Sequence, residues 1–351
     1  MTTTDPAQNE PDPIRRRDFL ATFGIAGAAL AAGLAGGGGV AKAAARPLLR
    51  TVPAGSGTIG LSLNGLVDYT KGVASGCYQA IAGSGYDLIV LQANFDAATE
   101  TSNLESLLAQ GVAGLVIQPN TADGAAAGAE QAATAGVPVS NCLWPGPSDS
   151  DEFYVGVAAL DSVEGGRMIG EWLKTNVPGG GKICVVQGVV GQGFSERIDE
   201  GLDEALEGSD FEIVTREQGF FDRAAAVQVV ETALQVDPDI NVVVDYAATM
   251  SNGISQLLSD LGRDDIVHVT SDADAEMMEW IKTPYLQATR YYSSAETGLI
   301  ATQAVLAALA GEEVDFETAV TQVMATADDI DDIVADNTYF YDEFAALVDE
   351  I

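Results

Sequence analysis

From residue 58 onward, short apolar runs alternate with segments of helical period, and this alternation limits the fold more than any other feature. "TIGLSL" (58–63), "YDLIVLQ" (86–92), "GLVIQP" (114–119) and "VPVSNC" (137–142) read as strands. Between them lie helical patterns over 71–83, 98–111 and 123–136, each closed by Gly, as helix ends favour. A second series follows, with strands over 153–157, 182–187, 211–217, 241–246, 266–271 and 286–292. A helix is predicted over 162–176, and helical periods separate the later strands. The strands are continuous rather than alternating in polarity, as expected when both faces of a sheet are covered. Strand–helix–strand order implies parallel sheets with right-handed crossovers. Some ten strands are more than one comfortable sheet holds, so the fold class is α/β with two Rossmann-like lobes. The stretch "WPGPSDSD" (144–151) reads as a loop within that order.

The start of the chain has a different character. Arg16 and Arg17 precede Asp18, Phe19 and Leu20, then an apolar run rich in Gly and Ala that ends near Ala41-Lys42-Ala43. Basic start, apolar middle and small-residue end are the parts of a signal peptide, and the paired Arg resembles a twin-arginine export signal. So many Gly and Ala make a weak membrane anchor. The expectation is a cleaved leader over 1–43 and a protein outside the cytoplasm, in the periplasm or on the outer face of the cell membrane. Four basic residues (Arg15, Arg16, Arg17, Lys42) and four acidic ones (Asp5, Glu10, Asp12, Asp18) leave with it, so the net charge stays at -36. Such a surface repels nucleic acid and anionic membranes.

Catalytic chemistry is hard to staff here. His268 is the only His and sits in an apolar strand, which suits a satisfied core side chain and excludes two-His zinc sites. "GFSER" (193–197) is not a G-x-S-x-G elbow. "GGGK" (179–182) precedes a strand and continues with Ile183, so it is a turn, not a phosphate loop. "GVVGQG" (188–193) follows a strand and opens a helix, but lacks dinucleotide spacing. Cys77, Cys142 and Cys184 are far apart and suit apolar packing. The acidic end, "ATADDIDDIVADNTYFYDEFAALVDEI", has no calcium-loop pattern and reads as a solvated surface segment. The expectation is a protein without metal or cofactor, and not an enzyme.

The ordered set of segments "TIGLSLNG", "GVASGCYQAIAGSGYDLIVLQANFDAATETSNLESLLAQGVAGLVIQPNTAD", "ALDSVEGGRMIGEWL", "GFFDRAAAVQVVETALQVDPDINVVVDYAATMSNGI", "VTSDADAEMMEWI" and "SSAETGLIATQAVLAAL" resembles the periplasmic ribose-binding protein family. The resemblance runs from about Thr58 to Met324. It implies two lobes joined by three hinge strands, the type I periplasmic binding protein fold. It places the first lobe at 57–159 plus 293–323, and the second at 160–292 plus 324–351 with the acidic tail. It further implies a monomer that captures a small neutral sugar or polyol and delivers it to an ABC permease in the membrane. A sensory module of the same fold is the alternative, with an extracytoplasmic enzyme behind it. DNA-binding regulators also share the fold, but here an export leader stands where their DNA-binding head would be.

The resemblance also nominates ligand contacts. Asp272, ending "IVHVTSD", matches the family's ligand-binding Asp; a helix N-cap is its ordinary competitor. Phe221 in "GFFDR" matches a stacking Phe, and Tyr292 occupies a hinge-side Gln position. Arg197 resembles an Arg that reaches the sugar, and Asp68 and Tyr69 lie in the loop where the family carries aromatics. Two departures bear on the ligand. The family's Asp-Arg pair is replaced by Leu143-Trp144, which makes Trp144 a candidate aromatic wall. Its Asn-Asp becomes Ala247-Ala248, which makes the preceding Asp245 and Tyr246 candidate replacements. Ribose itself therefore fits less well than another sugar, a polyol or a different small polar molecule.

Overall fold

The computed structural model describes residues 55–143 and 148–351. The leader expected over 1–43 and Trp144 lie outside the described residues. Ten strands alternate with helices as the sequence predicts. β1 (Gly57–Leu63), β2 (Tyr86–Gln92), β3 (Gly114–Ile117), β4 (Val139–Leu143) and β5 (Gly156–Ala159) form one sheet. β6 (Gly181–Gln187), β7 (Phe211–Gln218), β8 (Ile240–Asp245), β9 (Val267–Ser271) and β10 (Ala288–Tyr292) form the other. β11 (Glu317–Ala319) joins the first sheet beside β5, and β12 (Gln322–Ala325) joins the second beside β10. The orders are β11-β5-β4-β3-β1-β2 and β12-β10-β9-β8-β6-β7. All pairs are parallel except β10 with β12. Predicted boundaries shift by up to three residues; most visibly, 148–153 forms a 3₁₀ turn, and the strand expected at 153–157 begins at Gly156.

The connecting helices are α1 (Asp68–Ile81), α2 (Ala97–Ala109), α3 (Ala122–Thr134), α4 (Ser162–Asn176), α5 (Phe194–Leu206), α6 (Arg223–Val236), α7 (Ala248–Leu261), α8 (Ala275–Trp280) and α9 (Ser294–Leu309). Side chains of Asp96, Thr121, Asp161, Asp222, Asp274 and Ser293 each accept from a backbone N–H in the first turn, so local chemistry fixes where most helices start. None of the helices among the described residues is long and apolar enough to cross a membrane.

Two helix pairs approach backbone to backbone. A Cβ on Gly76 of α1 would lie 2.0 Å from the Ala295 carbonyl oxygen of α9, and one on Gly298 the same distance from Val73 O. In the second lobe, Gly166 of α4 and Gly201 of α5 stand in the same relation to Ile198 O and Val163 O, at 1.9 and 1.8 Å. Glycine is what lets these helices cross at such short range.

The chain passes between the sheets three times, from β5 to α4, from β10 to α9 and from β11 to β12. The acidic end departs from the expected solvated segment. α10 (Ile330–Asp336) packs on the second lobe through fully buried Ile330, in one cluster with Met277 and Tyr291. The chain then returns to the first lobe. Ser293 and Ser294 donate to Thr338 O and Tyr339 O, and Tyr341 N–H donates to Ser75 Oγ at 3.2 Å. Phe344 stacks on Tyr78 of α1, and Val348 of α11 (Ala345–Val348) is buried. Widely spaced apolar anchors hold a segment whose carboxylates stay in solvent, so net charge alone misjudged it.

Candidate functional site

In both sheets the strand order reverses beside the first strand, between β1 and β3 and between β6 and β8. Open α/β sheets bind ligands at such switch points, beyond the carboxyl ends of the strands. The carboxyl ends of the two sheets here face a common crevice. The first lobe lines it with Asn64, Val67, Tyr69, Phe95, Gln118 and Leu143. The second lobe contributes Gln192, Phe194, Phe221, Tyr246, Thr249 and Asp272, and Tyr292 closes the hinge side.

Backbone strain concentrates here. The non-glycine residues with positive φ among those described are Asn94, Phe95, Leu143, Phe220, Phe221 and Asp272. All lie at or just after the carboxyl end of a strand, and four of them line the crevice. Left-handed backbone in bulky residues persists only where the surroundings over-determine it, which is a mark of functional sites. At Phe95, Leu143, Phe221 and Asp272 this backbone accompanies a side chain that lines the crevice.

Asp272 directly follows β9 with φ 59° and is buried. Its Oδ1 accepts from the Ala248 N–H at 2.8 Å, at the first turn of α7. Among the described residues no further hydrogen bond to its carboxylate is seen. Burial pushes its carboxyl well above the usual range; the Ala248 N–H opposes this, the charges of Asp274 and Asp245 add to it, and Arg290 opposes it. The helix cap that competed for Asp272 is supplied by Asp274, which accepts from Met277 N–H at 2.7 Å.

Aromatic rings form the walls. Tyr69 meets Tyr292 edge to face at 5.9 Å, and Phe194 meets Phe221 at 6.3 Å. Gly188 makes room for Phe221, since a Cβ there would lie 2.1 Å from the ring. Tyr246 offers only its ring to the crevice, because its hydroxyl donates to Asp199, which also accepts from Gln187. The polar atoms left open are mostly acceptors. Asn64 Nδ2 donates to Pro119 O at 3.3 Å, and its Oδ1, like Gln118 Oε1, is buried without a partner. The hydroxyl of Tyr69 is also buried, with Thr297 beside it.

Five sequence-predicted residues, Tyr69, Phe221, Tyr246, Asp272 and Tyr292, thus meet in one crevice. Three do not line it. Asp68 is exposed at the start of α1, 3.6 Å from Lys71. Arg197 lies on the exposed face of α5, one helical step from the buried positions Phe194 and Ile198. Asp245 faces the sheet: it accepts from Thr270 Oγ1 at 2.8 Å and sits 2.7 Å from His268 Nε2, both partners fully buried. The same pairing makes His268 a satisfied core residue, with Nδ1 3.0 Å from Tyr285 O. Sequence reasoning missed Asn64, Phe95, Gln118, Phe194 and Gln192. The carboxyl-end rule, applied to "LSLN" and "LVIQ", would have found Asn64 and Gln118. Phe194 and Gln192 sit where "GVVGQGF" leads from β6 into α5, a stretch weighed above for dinucleotide spacing and not for its side chains.

Among the described residues, no group of three or more His, Cys, Asp or Glu is placed to hold a metal. Cys77, Cys142 and Cys184 are buried and unpaired.

A family model described as a periplasmic binding protein domain matches residues 59–313. The ribose import binding protein RbsB of Bacillus subtilis is 28% identical, over 73% of this chain and 83% of the relative. A xylitol-binding protein of Mycolicibacterium smegmatis is 24% identical, over 75% and 76%. Among solved structures, an ABC transporter solute-binding protein from Agrobacterium vitis with bound D-fucose superposes with a TM-score of 0.76 at 21% identity, covering 81% of this chain and 100% of that one. The arabinose-transporter binding protein of Shewanella sp. ANA-3 gives 0.75 at 23%, covering 84% and 98%. The two-lobed α/β fold read from the sequence is the fold of these structures.

Proposed function

Because the chain belongs to the family of periplasmic binding protein domains, whose members bind substrates without transforming them, we propose that it captures a small neutral sugar or polyol between closing lobes and delivers it to an ABC importer. The observation that carries this reading is the crevice itself: a buried carboxylate and unpaired amide oxygens set among flat rings. Sugars and polyols present hydroxyl donors at their edges, and pyranoses add C–H faces that stack on aromatics. Relatives named for ribose, xylitol, arabinose and fucose cover this range of chemistry. Leu143 and Ala247 stand where the ribose-type pattern has polar side chains, and this favours a ligand other than ribose. Export through the twin-arginine leader would place the protein where such ligands arrive, and closure around the ligand would make it the form that docks on the permease.

The test is titration of the purified chain with ribose, arabinose, fucose, xylitol, myo-inositol and glycerol, followed by Trp fluorescence and melting temperature. At least one is expected to shift both saturably. A panel that moves neither would remove the proposal.

A further inference from the structure

Arg290 is fully buried in β10; among the described residues no carboxylate or carbonyl accepts from its guanidinium, and the Tyr292 hydroxyl is the polar group beside it. An unpaired charge buried in this way is strongly destabilising unless something compensates it. The guanidinium carbon lies 4.6 Å from the Tyr292 ring centroid and 5.8 Å from that of Phe194. Both rings line the crevice, so the cation sits directly behind its wall. Alternation along β10 puts Arg290 and Tyr292 on one face. Space for the guanidinium comes from Gly165 of α4, where a Cβ would lie 1.8 Å from Nη1. Asp272 adjoins it just past the end of the neighbouring strand, its N–H donating to Arg290 O at 3.0 Å. The charged and titratable groups around Asp272 are Asp245 at the end of β8, Asp274 before α8, Tyr69 of α1, and Tyr292 and Arg290 of β10; Arg290 is the one cation among them.

We propose that Arg290 sets the charge specificity of the crevice, compensating Asp272 from behind the aromatic wall so that a protein of net charge -36 selects uncharged ligands. This rests on the crevice being the sugar site. Without Arg290, a lone carboxylate among aromatic rings would suit a ligand bearing a protonated amine. With it, either an ammonium or a carboxylate on the ligand would meet a like charge without a free partner.

A double-mutant cycle in urea unfolding tests the compensation without any ligand. Arg290→Met and Asp272→Asn are expected to couple by about tenfold or more in the unfolding equilibrium at pH 8, and less as Asp272 is protonated at lower pH. Zero coupling at pH 8 overturns the proposal. If Arg290→Met alone does not fold, the double variant should fold again; a double variant that is also unfolded would mark Arg290 as packing only. The specificity arm compares D-glucose, D-glucosamine and D-glucuronate. The ratio of glucosamine to glucose affinity should rise about tenfold in Arg290→Met and stay near wild type in Arg290→Lys. An unchanged ratio in Arg290→Met overturns the proposal. Coupling in the cycle with none of the three sugars binding wild type would uphold the charge compensation and count against the sugar reading alone.

Discussion

Replacing Gln192 by Ala should weaken ligand binding by loosening the closed arrangement of the lobes. Gln192 Nε2 in the second lobe donates to Asn120 Oδ1 in the first at 3.2 Å, and both side chains are buried. The bond therefore exists only while the lobes are closed. Asn120 is held in place because its N–H donates to Glu100 Oε1 at 2.7 Å, and Glu100 is itself fully buried. On opening, both amides regain water, so the relevant energy is the net value of one hydrogen bond, about 1 kcal/mol. That corresponds to roughly a fivefold fall in the closure equilibrium. Where the closed form is the minority without ligand, apparent affinity falls by the same factor, about fivefold. Fluorescence titration with the tightest sugar of the panel gives the affinity, and small-angle X-ray scattering gives the lobe separation. Asn120→Ala should match Gln192→Ala, and the double variant should lose no more than either. Unchanged affinity and unchanged dimensions in Gln192→Ala, or losses that add in the double variant, would refute the reasoning.

Three further outcomes are expected. Asp272→Ala should weaken sugar binding by about tenfold or more, since charge-assisted hydrogen bonds contribute about 1.5–3 kcal/mol; titration checks it, and unchanged affinity would take Asp272 out of the site. Gly201→Ala should destabilise the second lobe by about 1–3 kcal/mol through overpacking against Val163 O, read as a lower urea midpoint with sugar specificity retained. Burial holds the carboxyls of Glu100, Asp199, Asp272, Asp274 and Glu296 above their ordinary values. The folded state then keeps more protons than the unfolded chain between the ordinary and the raised values, so stability should rise as pH falls through the raised ones and level off below the ordinary ones. Calorimetry should show this in wild type, with a flatter profile in Glu296→Gln.

Much of the architecture was legible because it is local. Apolar runs, helical period and terminal Gly each act within a few residues, and together they defined ten strands and the helices between them. β11 and β12 escaped because three- and four-residue strands carry no period of their own; pairing with β5 and β10 defines them. In the site, Asp272 and Phe221 were legible by position, since a strand's carboxyl end points at the crevice whatever the partner lobe does. Arg197 and Asp245 lie off the crevice lining because a helix rotation or a sheet face separates lining residues from their neighbours, and sequence spacing does not resolve it.

By itself, then, the sequence determined the parallel two-sheet plan and the strand ends that carry function, because backbone geometry and hydrophobic period are properties of short segments. Tertiary structure alone decided that Gln192 meets Asn120 across the lobes and that the acidic end folds back onto α1. It alone decided that Arg290 lies buried behind Tyr292. These are encounters between residues distant in sequence, and only the packing of whole elements brings them within bonding range.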